Sequence, residues 1–365
     1  MNKILFVVPS FSGGGAERVV TVLASNLAER GFDVSCIIYY RAEKEYEYSD
    51  KIKVFNLTGG KEEDYRALNM KSKVLKLRNM ITSIHPDYII PFLPQVGFHV
   101  WLASLGKKYR IIQTVRNDPR NDPTSRFERL IRNLMLTFSW RNFVQNKEQL
   151  DYFPAFIKKK TSILPNPVPQ SLFQMKHHYS SQVKNVISLG RLSKQKNFDL
   201  IIRTAARVHQ QYPDIKFHIF GDGDLHDTLY QTIVNSNLKD CVVLEGRTDK
   251  PYEEMCGADI FVLSSNYEGM PNALLEAMAL GMPSISTDCP TGPSDIIHNQ
   301  VNGRLVPLDD DQAIADIIIE WVNDPQKLEI TGENAKRTIL DNYSADVISN
   351  KFLKEVLLFN GGNNN

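Results

Sequence analysis

Cysteine is scarce in this sequence, and the few cysteines follow no ligand or disulfide pattern. The 365 residues include four cysteines, with neither C-x-x-C spacing nor histidine partners: Cys36, Cys241, Cys256 and Cys289. This scatter argues against a disulfide framework and against a cysteine-based metal site. It predicts buried thiols in a reducing compartment.

Charge of one sign and long apolar runs are also missing. The formal net charge is only +1, so nothing global favours a nucleic-acid partner. No apolar segment approaches the roughly 20 residues of a membrane-spanning helix. The apolar run at residues 4–8 is too short for the core of a signal peptide. We therefore expect a cytoplasmic protein that binds no nucleic acid.

What the sequence does contain is an alternation of strand-like apolar runs with amphipathic, helix-like segments. The alternation starts at residue 4 and starts afresh at residue 186, after a polar stretch that follows several prolines. A chain of this length exceeds one average core. It predicts an α/β protein with domains at 1–168 and 185–343 and a linker at 169–184. A helix at 344–360 and a disordered tail at 361–365 complete the prediction.

The most informative stretch is residues 259–281, where the pattern predicts a strand, a loop and a helix. Pro271 falls where a first helical residue would lie, and Gly281 falls just past the last turn. Glu268 precedes the helix and Glu276 lies within it, so a ligand with phosphate and hydroxyl groups would fit there. The alternative for any isolated pair of glutamates is ordinary surface charge.

Glycine-rich turns follow several predicted strands. The turn at residues 13–15 lies in a β-α-β unit, where open α/β sheets bind ligands, but it does not match G-x-G-x-x-G. A flexible turn is the alternative. In the second half, Arg191 and Lys196 flank another strand-to-helix turn, with Asn197 as a predicted helix cap. Two cations there would neutralise a diphosphate without a metal, whereas the alternative is surface charge.

Positive charge is concentrated in one segment of the first domain. Residues 106–160 contain 13 Lys or Arg and 5 Asp or Glu, including a predicted long helix at 124–142. Such a basic, partly amphipathic face suits an anionic membrane surface or a phosphate-bearing acceptor. A solvated face on an ordinary core helix is the alternative.

Taken together, these motifs resemble the retaining family-4 glycosyltransferases of the GT-B fold. The resemblance rests on the order and spacing of five segments: 13–18, 190–196, 221–223, 268–276 and 302–303. It implies two Rossmann-like domains facing across a cleft, with the C-terminal helix crossing back onto the first domain. It also implies an enzyme that needs no metal ion. No cofactor is implied either, because the nucleotide-sugar is a co-substrate.

The resemblance also implies roles for individual residues. Arg191 and Lys196 would hold the diphosphate, Glu276 would accept hydrogen bonds from the ribose, and Glu268 would contact the transferred sugar. The implied catalytic residues are Glu268, Arg191 and Lys196, and no nucleophile is assigned. The implied donor-binding residues are Gly14, Gly15, Arg191, Lys196, Gly221, Arg247, Glu268, Met270, Pro271, Asn272, Ala273, Leu274 and Glu276.

On the acceptor side, the resemblance points to Glu17, Arg116 and Asn117. Many relatives carry histidine where this chain has Arg116 and Asn117, so we hypothesise that Arg116 recognises a phosphate of the acceptor or the donor. The segment 289–297 resembles members that build bacterial surface polysaccharides on polyprenyl-diphosphate carriers. Combined with the basic segment 106–160, this resemblance favours a peripheral membrane enzyme that extends a lipid-linked oligosaccharide at the inner face of the plasma membrane, and a soluble acceptor is the alternative. The expected donor is a UDP-sugar that carries a hexose or an N-acetylhexosamine.

Three other classes fit parts of this pattern. A GT-B-type sugar-nucleotide epimerase would use the same fold and donor, but no acid/base residues can be placed around the sugar. A non-catalytic nucleotide-sugar-binding module would bind without turnover. A dehydrogenase is disfavoured because neither glycine turn reads G-x-G-x-x-G with a downstream acidic partner.

Overall fold

The computed structural model describes residues 2–180 and 182–357. The chain folds into two compact units. The first unit comprises the chain as far as Pro167 together with the segment that begins at Ala345. The second unit runs from Val168 to Ser344. Each unit is built on one parallel sheet with helices on both faces.

In the first unit, the described residues form a seven-stranded parallel sheet with the order β3-β2-β1-β4-β5-β6-β7. Its strands are β1 (Lys3–Val8), β2 (Asp33–Ile38), β3 (Lys53–Asn56), β4 (Tyr88–Pro91), β5 (Arg110–Thr114), β6 (Arg141–Val144) and β7 (Thr161–Ile163). The helices between them are α1 (Gly15–Glu29), α2 (Glu62–Ala67), α3 (Met70–Ile84), α4 (Pro94–Ala103), α5 (Arg126–Phe138), α6 (Lys147–Tyr152) and α7 (Ala155–Lys158).

Strand β1 shows why this sheet is covered on both faces. Its residues 4–8 are apolar without alternation, and successive side chains point to opposite faces of a sheet. Phe6 packs in one cluster with Val20 and Leu23 of α1. Leu5 packs in the other with Leu77 of α3. A continuous apolar run therefore supplies two cores at once.

The second unit repeats the plan with a six-stranded parallel sheet in the order β10-β9-β8-β11-β12-β13. Its strands are β8 (Asn185–Leu189), β9 (Lys216–Phe220), β10 (Val242–Gly246), β11 (Ile260–Leu263), β12 (Ser284–Thr287) and β13 (Arg304–Val306). Its helices are α8 (Phe198–His209), α9 (His226–Asn235), α10 (Pro251–Cys256), α11 (Asn272–Leu280), α12 (Pro293–Ile296), α13 (Asp311–Asn323) and α14 (Pro325–Tyr343). The α/β fold with two Rossmann-like domains is therefore confirmed.

The last helix, α15 (Ala345–Leu357), belongs to the first unit although it follows the second in sequence. Phe352 is fully buried, with ring centroids 6.2 Å from Phe6 and 5.9 Å from Phe143. Arg141 of β6 donates to the backbone oxygen of Glu355 at 2.7 Å. The expected return of the C-terminal helix is thus observed. The predicted disorder at 361–365 lies outside the described residues.

The segment predicted as a linker packs on the second unit for most of its described length. A 3-10 helix spans Gln170–Gln174, and Leu172 within it is completely buried in the second unit's core. Further on, the Tyr179 hydroxyl donates to the backbone oxygen of Gly281 at 2.9 Å. The structure changes unit at Pro167, before this segment begins.

Two further findings concern the cysteines and the possibility of a membrane-spanning helix. All four cysteines are unpaired, and all but the half-buried Cys256 are buried; burial raises the pKa of Cys289 to about 12. Within residues 2–180 and 182–357, no helix combines the length and the apolar character needed to cross a membrane.

Candidate active site

The candidate site in the second unit lies where the strand order of its sheet reverses. Strand β8 lies between β9 and β11, so the loops after β8 and β11 leave the carboxyl edge next to each other. In open α/β sheets this is the position at which ligands bind. The two loops are joined directly: Asn266 N donates to Gln195 O at 2.8 Å, and Gln195 Nε2 donates to Tyr267 O at 2.9 Å.

This crevice brings together Lys196 and Glu268, two of the three predicted catalytic residues. The Lys196 Nζ lies 2.5 Å from Glu268 Oε1, and the side chains are only 18% and 8% exposed. Ser265 Oγ donates to the same carboxylate oxygen at 2.6 Å. Glu268 is therefore a fixed, buried carboxylate and not a solvated loop residue. A diphosphate entering the crevice would compete with Glu268 for the ammonium of Lys196.

The loop that carries Glu268 packs against the turn at residues 290–293. The Thr291 hydroxyl donates to the backbone oxygen of Glu268. Gly292 has φ +98°, and a Cβ there would lie 2.8 Å from the Gly269 oxygen. Sequence reasoning did not assign Thr291, Gly292 or Ser265 to the site. The Pro-Thr-Gly-Pro motif was the available signal, since two prolines and a glycine mark a rigid turn.

Gly221 allows the close approach of strand ends that builds the crevice. It has φ +147°, and a Cβ there would lie 1.8 Å from the backbone oxygen of Gly190. With no side chain in the way, Gly190 N donates to Phe220 O and Leu192 N donates to Asp222 O, both at 3.0 Å. The structure therefore gives this predicted donor-binding residue a structural reason for being glycine.

Helix α11 begins at Asn272, directly behind the loop of Glu268, with Pro271 as its N-cap residue and Gly281 in the left-handed conformation (φ +92°) at its end. Glu276 is 5% exposed and lies among the buried residues 274–280. The alternative of a solvated glutamate is therefore wrong for Glu276. Among the donor-binding candidates here, Met270, Pro271 and Leu274 are buried and Asn272 and Ala273 are half-buried.

The two other cations predicted to bind the donor, Arg191 and Arg247, are exposed at the same edge of the sheet. Arg191 follows β8 in the turn that carries Lys196. Arg247 follows β10, where Gly221 N donates to Gly246 O at 2.7 Å and so ties that loop to the turn of Gly221. Asn197 is the N-cap residue of α8, as predicted, but its side chain makes no capping hydrogen bond. It adopts a left-handed conformation (φ +49°), and its Nδ2 donates to Asn266 Oδ1 at 3.3 Å.

The first unit holds the other candidates at the carboxyl edge of its own sheet. Gly14 is the N-cap of α1 and Gly15 its first residue; a Cβ on Gly14 would lie 2.6 Å from Oε2 of Glu17, which is 9% exposed. Asn117, after β5, accepts a hydrogen bond at its backbone oxygen from Gln149 Nε2 at 3.3 Å. In the glycine turn after β1, the carboxylate of Glu17 therefore lies against Gly14.

Arg116 is the most unusual of these side chains. Its Nη1 donates to Asn166 Oδ1 at 3.2 Å, and its guanidinium lies 4.5 Å from the ring centroid of Phe92. Its Nε and Nη2 are buried without a hydrogen-bond partner. Burial lowers the pKa of Arg116 to about 9, so the charged form is costly here unless an anion joins it.

Comparisons with known proteins agree with this architecture. The family model described as Glycosyltransferase Family 4 matches residues 13–172, and the model described as Glycosyl transferases group 1 matches residues 173–338. The chain belongs to the family-4 glycosyltransferases. It is thus a GT-B glycosyltransferase, as the motifs predicted.

Among curated relatives of this glycosyltransferase, one from Methanocaldococcus jannaschii, an uncharacterized glycosyltransferase, is 28% identical over 65% of this chain and 64% of its own length. A Campylobacter jejuni relative, 26% identical over 97% of this chain and 98% of its own, is the GalNAc-α-(1→4)-GalNAc-α-(1→3)-diNAcBac-PP-undecaprenol α-1,4-N-acetyl-D-galactosaminyltransferase. Among solved structures, a mutant of Staphylococcus aureus TarM with fondaparinux, α-GlcNAc-glycerol and UDP matches with a TM-score of 0.82 and 15% identity, covering 98% of this chain and all of that one.

Proposed function

We propose that this glycosyltransferase transfers a hexose or an N-acetylhexosamine from a UDP-sugar to a saccharide acceptor, with retention of anomeric configuration. The observation that carries the proposal is the pairing of Lys196 with Glu268 at the crevice of the second sheet. This pairing supports the proposal because a cation suited to a diphosphate and a carboxylate suited to sugar hydroxyls lie side by side. The complex of TarM with UDP supports uracil as the base of the donor.

The proposed chemistry is electrostatic stabilisation of the leaving group. Breaking the bond between the sugar and UDP places negative charge on the diphosphate. We propose that Lys196, the exposed Arg191 and the N-terminus of α11 stabilise this charge. We propose that these groups suffice without a metal ion.

Retention is proposed without a protein nucleophile. Glu268 already accepts hydrogen bonds from Lys196 and Ser265, and it is suited to hold sugar hydroxyls rather than to attack the anomeric carbon. The departing phosphate oxygen then takes the proton of the acceptor hydroxyl on the face where the new bond forms. The α-linkages named for the Campylobacter relative are those that retention yields from an α-linked donor.

The proposed acceptor is an oligosaccharide on a polyprenyl diphosphate, at the cytoplasmic face of the plasma membrane. The Campylobacter relative acts on an undecaprenyl-diphosphate-linked saccharide and matches along nearly its whole length. In this chain, the buried guanidinium of Arg116 and the concentration of lysine and arginine in residues 106–160 supply positive charge in the first unit. We propose Arg116 as the residue that recognises a phosphate.

The test is thermal unfolding in EDTA with UDP, GDP, ADP, TDP or NAD, followed by transfer assays with the matching sugar donor. UDP at a hundredfold excess over Kd should add about 2.7 kcal/mol to the free energy of unfolding, a rise of a few degrees in Tm. Glu276→Ala should reduce this rise, and NMR of the product should show the donor's anomeric configuration.

Each other outcome contradicts a defined part of the proposal. A rise with GDP or TDP instead of UDP refutes the base, and a rise only when metal is restored refutes metal independence. Binding without turnover indicates a nucleotide-sugar-binding module. Epimerised donor in the absence of acceptor indicates an epimerase, and a rise with NAD alone overturns the proposed chemistry.

A further inference from the structure

Helix α5 exposes the face that a helix of a globular domain normally buries. Four large apolar side chains on it are exposed to solvent: Phe127 by 68%, Leu130 by 56%, Leu134 by 42% and Phe138 by 71%. Their spacing of three, four and four residues places them along one side of the helix. They form a continuous apolar stripe, which we call the α5 stripe.

The orientation of α5 is set by a buried arginine on the other side. Arg132 is 3% exposed, and its Nη1 donates to the backbone oxygens of Pro119 and Asp122, both at 2.8 Å. Met135 and Leu136 are buried on the same side. Turning the helix to bury the stripe would remove these contacts and expose Met135 and Leu136. The stripe therefore points outward as part of the folded structure.

A neighbouring helix enlarges this surface and adds charge. Helix α7 is in contact with α5 and carries Phe156, which is 59% exposed. Arg126 at the start of α5 and Lys159 directly after α7 are both exposed. Glu128 is the one acidic residue in these two helices. Exposed apolar surface of this extent marks an interaction site. Apolar side chains accompanied by arginine and lysine are the chemistry of helices that lie in the interface of an anionic membrane.

We propose that the α5 stripe with Phe156 is a membrane-binding surface, with phenylalanine and leucine inserted among the acyl chains and cations against anionic headgroups. This membrane-binding surface is an addition to the proposed function. It rests on the proposed function in one respect, namely that the acceptor is lipid-linked. Membrane binding itself needs neither UDP nor acceptor.

The test is co-sedimentation of the full chain with vesicles of phosphatidylcholine, alone or mixed with phosphatidylglycerol. The protein should sediment with the mixed vesicles and much less with phosphatidylcholine alone. The double variant Phe127→Gln/Phe138→Gln should lower the partition coefficient at least about tenfold, because two inserted rings are lost. The matched control Ile330→Gln/Leu340→Gln removes apolar side chains that are 50% and 41% exposed in the second unit, and it should bind as the parent does.

Several outcomes overturn the proposal. If the Phe127/Phe138 variant and the control bind vesicles equally well, the α5 stripe is not the membrane-binding surface. If the protein binds both kinds of vesicle equally well, the proposed preference for anionic lipid is wrong. No vesicle binding, together with a dimer that the Phe127/Phe138 variant converts to monomer, makes the stripe an interface between copies. The UDP-dependent rise in Tm is measured on the same samples, so a failure of membrane binding is distinguished from a failure of the proposed transferase.

Discussion

Lys196 and Glu268 illustrate how two residues 72 positions apart act as one unit. Each neutralises the other in the absence of donor, which keeps a largely buried ammonium and a buried carboxylate from being left unpaired. The stem of Lys196 lies against Gly190, where a Cβ would lie 3.2 Å from three of its carbons. The ammonium is therefore held at the carboxyl edge of β8 before any ligand arrives.

Replacing Lys196 tests its proposed role in stabilising the leaving group. Lys196→Ala should lower kcat by about a hundredfold to a thousandfold, because one fixed group that stabilises the leaving group is lost. Lys194→Ala is the matched control, since Lys194 is exposed in the same turn and only its backbone oxygen accepts a hydrogen bond, from Asn266. Similar steady-state constants for the two variants would show that Lys196 is not catalytic.

Arg116 gives a second test at the residue scale. Arg116→Gln should raise the KM for a phosphate-bearing substrate, since an unpaired buried cation is lost. It should leave the free energy of unfolding without ligand unchanged or higher, because burial of that charge is unfavourable. Arg110→Gln, at the opposite end of β5 and exposed, is the control. Unchanged KM values for both donor and acceptor would remove Arg116 from substrate recognition.

At the scale of elements, the crevice depends on how closely β9 approaches the turn after β8. Gly221→Ala should lower the free energy of unfolding by more than the roughly 1–3 kcal/mol of backbone strain, because its Cβ would overlap the Gly190 oxygen. Gly246→Ala is the control, since its φ is +74° and no atom lies within 4 Å of the added Cβ. Urea denaturation of both variants measures the difference, and equal losses would refute the steric argument.

Two helices and a strand show where sequence patterns mislead at this scale. The pattern at 124–142 predicted one helix, but α5 ends at Phe138 and β6 begins at Arg141, so the strand was missed. Residues 59–70 were predicted as a loop, yet they contain α2, none of whose residues is buried. Helix α14 was not predicted either. A helix without a strong apolar stripe, or a strand directly after a helix, leaves little periodic signal.

At the scale of the whole molecule, the first unit is completed by residues from the end of the chain. Phe352 contributes a fully buried ring to a core whose other members lie mostly before residue 165. The first unit therefore cannot reach its final packing until α15 exists, which gives its core contacts of very large sequence separation.

Phe352→Ala measures this dependence. It should lower the free energy of unfolding of the first unit by about 3–5 kcal/mol through loss of buried area and a cavity. Lys354→Ala, which is exposed on the same helix, should change it by less than about 0.5 kcal/mol. Hydrogen exchange of β1 and β6 reports on the first unit alone. Unaltered exchange in Phe352→Ala would show that α15 does not stabilise that core.

The sequence by itself determined the α/β plan of both units, the glycine turns after strands, and the strand, loop and helix around Glu268. These follow from local periodicity and from backbone conformations that few residues adopt, as with Gly281 at the end of α11. Only the tertiary structure decided that Lys196 pairs with Glu268, that Nε and Nη2 of Arg116 are buried, and that α5 turns Arg132 inward and Phe127 outward. Strand order and packing against distant segments set those outcomes, and neither is encoded in the spacing of neighbouring residues.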